Sequence, residues 1–74
     1  MRRLTDASGA EWDVTIGRES WGTLVLLFVP RAGGGARQSV MKAETQLAAE
    51  QRLQEMSEGE LLERLEAATP WGET

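Results

Sequence analysis

The chain of 74 residues contains no cysteine, no histidine and no tyrosine. The lack of cysteine rules out a disulfide framework and a thiolate metal site, and leaves the fold indifferent to the redox state of its surroundings. The lack of histidine removes the commonest general base and a principal metal ligand. Catalysis would then rest on carboxylates, on Lys42, or on a serine with no histidine partner. We therefore expect a protein that is not an enzyme and that holds no cofactor and no metal ion. Asp6, Glu11 and Asp13 flank one turn but lack the ligand spacing of a calcium loop. Turn formation by Asp6 and solvation of Glu11 and Asp13 account for them.

Long apolar runs are missing too. The longest, Leu24-Val25-Leu26-Leu27-Phe28-Val29, is far shorter than the roughly 20 residues a membrane helix needs. Met1-Arg2-Arg3 is basic, but Leu4-Thr5-Asp6 turns polar where the apolar segment of a secretory leader would begin. The expectation is a protein with no membrane association and a cytoplasmic location. Aromatic residues are scarce, with 3 Trp and 1 Phe. The preference for arginine over lysine, with abundant alanine, glycine and glutamate, reads as the codon bias of a GC-rich bacterial genome.

The charge is uneven. Residues 1–42 carry six basic groups against four acids, whereas residues 43–74 carry Arg52 and Arg64 against eight glutamates, which makes up the net −4. An acidic second half repels nucleic acid and suits either solvent or a basic protein surface.

A chain this short forms one domain, residues 1–74, and buries only about 60% of its unfolded surface. Residues 1–42 read as strands. Arg2–Thr5 is a short strand, Asp6-Ala7-Ser8-Gly9 a turn, and Glu11–Ile16 alternates with Trp12, Val14 and Ile16 on one side. After the Gly17–Gly22 turn, Thr23–Val29 is the apolar strand, ended by Pro30. Gly33-Gly34-Gly35 marks a mobile hairpin loop rather than a phosphate loop, because no Lys-Ser or Lys-Thr pair follows it at a helix start. Arg37–Met41 returns as a fourth strand at the sheet edge. Residues 43–69 are rich in helix formers and divide into a helix over Ala43–Met56 and a second one opened by the capping box Ser57-Glu58-Gly59-Glu60. Thr69-Pro70 stops it, and residues 70–74 form a tail. The expected fold is α+β, a three- to four-stranded antiparallel meander followed by two C-terminal helices packed on one face.

Consecutive strand residues point to opposite faces, so the apolar strand presents Leu24, Leu26 and Phe28 on one side and Val25, Leu27 and Val29 on the other. Two helices cover one face of a small antiparallel sheet, which leaves one trio short of cover. We expect that open face, or the edge strand near Arg37, to dock a protein partner or a second copy in a homodimer. The expected contact residues are Leu24, Leu26 and Phe28, with Trp21 and Trp71 as anchors and Arg37 at the edge. The alternative is a nucleic-acid-associated regulator in which arginines at the strand ends meet phosphates. The acidic balance argues against it. Nothing in the sequence points to a small-molecule substrate.

Overall fold

Strand β2 (Glu11–Arg18) follows from the alternation around Trp12, Val14 and Ile16, and it pairs antiparallel with β1 (Arg2–Thr5) and β3 (Leu24–Pro30). The structure is a computed structural model that describes residues 2–18 and 22–71. After β3 come β4 (Arg37–Val40), helices α1 (Gln46–Glu55) and α2 (Glu58–Ala67), and a two-residue strand β5 (Thr69–Pro70). The five strands form one antiparallel sheet in the order β1-β2-β3-β4-β5, so the apolar β3 is the middle strand. This is the expected α+β arrangement with one strand more.

The extra strand corrects the expectation that β4 is the sheet edge. Pro70 does stop α2, but the backbone stays extended, pairing Thr69 with Gln38 and Pro70 with Arg37. The Trp71 N–H then donates to the Ala36 carbonyl at 2.9 Å. A proline is tolerated there because the outer side of an edge strand needs no ladder donor. The first helix begins later than Ala43 because the Thr45 hydroxyl accepts the Ala48 N–H at 3.1 Å, making Thr45 the cap. The second helix begins at its capping box: Glu60 N donates to Ser57 Oγ at 3.2 Å, and Ser57 N donates back to Glu60 Oε1 at 3.1 Å.

The β1–β2 hairpin turns on one carboxylate. Asp6 Oδ1 accepts from the Ser8 N–H at 2.9 Å, the Ala10 N–H at 3.0 Å and the Ser8 hydroxyl at 2.7 Å, while Oδ2 accepts the Trp12 indole N–H at 2.9 Å. Gly9 completes the turn at φ 90°, which only glycine adopts without strain. The hydrogen bonds from the Ser8 and Trp12 side chains favour the ionised form and hold the Asp6 carboxyl at about 2, below its ordinary 3.8.

Both helices lie on one face of the sheet. Ala49 and Leu53 of α1 and Leu61 and Leu65 of α2 form a single buried cluster with Leu4, Val14, Leu24, Leu26, Phe28 and Met41. Arg2 ties the layers together, donating through Nη1 to the Leu53 carbonyl at 3.0 Å and to the Met56 carbonyl, two acceptors at the open C-terminal end of α1. The molecule measures 33 × 31 × 18 Å, and the short dimension has room for one sheet and one helix layer only. Among the described residues no helix is long and apolar enough to cross a membrane.

Candidate functional site: the helix-free face of the sheet

Ladder register decides which side chains share a face. Val14 pairs with Phe28 and Ile16 with Leu26, so the apolar side of β2 and the even-numbered residues of β3 point together toward the helices. Leu24, Leu26 and Phe28 are accordingly shielded, with 5%, 0% and 0% of their surface exposed. They cannot line an open face, and the expectation that they form the contact surface is corrected: the open trio is the other one.

Three rungs run across that face. Gly17, Val25 and Val40 make the first, Thr15, Leu27, Gln38 and Thr69 the second, and Asp13 with Val29 the third. The face is not uniformly open. Val25 is fully buried although it lies outside the helix-covered cluster. Leu27 is partly buried, whereas Val29 is 39% and Val40 54% exposed. The accessible apolar strip is therefore Leu27, Val29 and Val40. Gly17 makes the strip smooth, because its missing side chain lets Val25 and Leu27 lean across: a Cβ there would meet Val25 Cγ2 at 3.2 Å and Leu27 Cβ at 3.5 Å.

Beyond the strip the face turns polar. Arg3 stands beside Asp13 and Thr5 beside Glu11. Arg31, from the loop after β3, lies 3.3 Å from Asp13 and 3.6 Å from Glu11. Arg3 and Arg31 thus balance Glu11 and Asp13, and among the described residues the face carries no net charge. On the helices six glutamates face only Arg52 and Arg64. Gln38, in the central rung, donates to the Pro70 carbonyl at 3.4 Å, but its Oε1 is buried with no hydrogen-bond donor.

The other expected site residues are dispersed. Arg37 sits on the helix side opposite Phe28, with its guanidinium 5.7 Å from the Trp12 ring centre, a cation–π arrangement. Trp71 is half-buried just after β5. Trp21 lies outside the described residues. Arg37 and Trp12 border a cleft of about 350 Å³ between the first hairpin and α2, together with Asp6, Glu63 and Glu66. Asp6 is ionised there at neutral pH, with Oδ1 accepting three hydrogen bonds within the turn and Oδ2 accepting the Trp12 indole N–H.

Sequence reasoning did not single out Val29 and Val40 as the exposed apolar residues. A signal existed: the apolar side of β2 has to share the core with one trio of β3. Which trio depends on the parity of the connecting turn, and a turn one residue shorter would exchange the faces. Comparison with known proteins finds no matching family model, no similar curated protein and no similar solved structure.

Proposed function

We propose that this chain is a non-enzymatic interaction module that pairs with a second copy of itself through the helix-free face of its sheet. The observation that carries the reading is the strip Leu27, Val29 and Val40 at the middle of a face that no helix covers and that has no net charge. A self-pairing surface meets its own charges, so neutrality is what an isologous contact requires. The acidic helix layer fails that requirement. Because the strip follows the middle strand, a two-fold axis through Leu27 lays strip on strip, with the two sheets about 10 Å apart.

Surface supports the same reading. A monomer of 8.1 kDa is expected to expose about 4,500 Å². This one exposes 5032 Å², about a tenth more. The strands of 4, 8, 7, 4 and 2 residues, at about 3.3 Å rise and about 4.8 Å spacing, give a face of about 400 Å², hence about 800 Å² buried over two copies. That is below the roughly 1,200 Å² of a standard specific interface, so the pairing is weak and reversible.

The nucleic-acid alternative draws less support. Arg2 caps α1, Arg31 pairs with two carboxylates, Arg37 lies over Trp12 and Arg18 donates to Gln46 at 3.3 Å, so these arginines are divided between the two faces rather than gathered on one.

The absence of cysteine makes a direct test clean. A single Thr5→Cys at the rim of the face carries a nitroxide in one population, mixed with an isotope-labelled second population. Pairing through the face broadens amide signals of β3 and β4 in the labelled copies. Broadening confined to α1 and α2, or none at millimolar protein, overturns the proposal.

A further inference from the structure

Lys42, Arg52 and Arg64 are far apart in sequence, and the two arginines belong to the acidic half of the chain. The fold brings all three to one cleft of about 350 Å³ where the end of β4 meets the helices, over a floor made by Met41 and Met56. Arg52 donates from Nη1 to the Lys42 carbonyl at 2.6 Å. Arg64 donates from Nη1 to the Val40 carbonyl at 3.2 Å and to Ser39 Oγ at 3.4 Å. Each guanidinium is thereby anchored to backbone through one nitrogen. Among the described residues its other N–H groups have no partner, and none of the three cations forms an ion pair.

Glu60 is the carboxylate that borders the cleft, and it is already engaged, accepting the Ser57 N–H and hydroxyl in the capping box. The cleft thus carries three positive charges against one negative, with Glu55 joining Arg52 and Glu60 around an adjoining cleft, in a chain whose net charge is −4. Concentrating like charges costs energy unless an anion offsets it. Planar guanidiniums anchored in advance, beside a flexible ammonium over an apolar floor, suit a tetrahedral oxyanion.

We propose that this cleft binds the phosphate group of a small ligand, with Arg52 and Arg64 donating to its oxygens and Lys42 neutralising the remaining charge. The cleft meets the open face at Val40, whose carbonyl holds Arg64, while Arg52 and Arg64 themselves come from the helix layer.

The test is an amide- and arginine-detected NMR titration of the full chain with inorganic phosphate and with pyrophosphate. Saturable shifts at Lys42, Arg52 and Arg64 are expected, with pyrophosphate the tighter ligand. Two substitutions push in opposite directions. Arg64→Gln removes a cation and weakens pyrophosphate binding about tenfold. Glu60→Gln keeps the capping box, which accepts either side chain, and removes the opposing charge, so binding tightens several-fold. Helix content by circular dichroism reports that both variants are folded. The absence of saturable shifts at millimolar pyrophosphate overturns the proposal. So do shifts that ignore both substitutions, or a single-stranded oligonucleotide that binds while pyrophosphate does not.

Discussion

The two faces of the sheet are built from the same strand and meet opposite fates. Leu24, Leu26 and Phe28 disappear beneath α1 and α2, while one residue away along the chain Leu27 stays partly accessible and Val29 is 39% exposed. Hydrophobicity does not distinguish the two trios. What does is the neighbouring strand: β2 presents Val14 and Ile16 to the first trio, and Asp13, Thr15 and Gly17 to the second. A central strand that is apolar on both sides thus belongs to a sheet that helices cover on one side only, and the difference can be measured.

The largest effect is on the covered face. Phe28→Ala leaves a cavity costing about 3 to 5 kcal/mol. A chain of this length has about 4 to 11 kcal/mol of stability in total. Urea denaturation should find the midpoint of the variant strongly lowered, and Leu26→Glu unfolded outright, because it buries an unpaired carboxylate. The matching change on the other face, Leu27→Glu, should keep the native circular dichroism, shift stability by about 1 kcal/mol and abolish self-association. Equal behaviour of Leu26→Glu and Leu27→Glu would erase the distinction between the faces.

A smaller effect belongs to the hairpin that fixes Trp12 on the covered side. The Asp6 carboxyl is depressed to about 2 in the folded chain against 3.8 unfolded, so its contribution is present in full above pH 3.8 and is lost as the pH falls toward 2. The stability gap between the wild type and Asp6→Asn should be constant near neutrality and narrow through that window. A gap unchanged down to pH 2 would mean that the ionised carboxylate is not what holds the turn.

The smallest effect is at Gln38, whose unpartnered Oε1 sits among the rungs of the open face. An unsatisfied buried acceptor costs about 1 to 3 kcal/mol, and the 3.4 Å bond to Pro70 returns little of it. Gln38→Met should be neutral or stabilising by about 1 kcal/mol in thermal unfolding, and it should tighten self-association by extending the strip. A marked loss of stability would show that the amide is better satisfied than this geometry implies.

Much of the architecture was legible in the sequence, since each signal was local: alternation over Glu11–Ile16, Pro30 ending β3, the glycine loop, and the Ser57–Glu60 box opening α2. The features that escaped were matters of register and distance. Thr69-Pro70 reads as a helix stop, and nothing near it announces that the extended backbone will find Gln38, more than thirty residues earlier. The face assigned to Leu24, Leu26 and Phe28 depended on turn parity, which periodicity does not encode. Val40 joins the open face because the β3–β4 connection pairs it with Val25. Arg52 and Arg64 looked like minor relief in an acidic half until packing set them beside Lys42.

The central claim is that the helix-free face pairs with its own copy, and sedimentation velocity of the wild type beside Leu27→Glu, from low micromolar to near-millimolar protein, tests it most directly. The account predicts a wild-type coefficient that climbs from the monomer value toward the dimer value across that range, with the variant fixed at monomer. A wild type that stays monomeric throughout, or a variant that associates equally well, would contradict it.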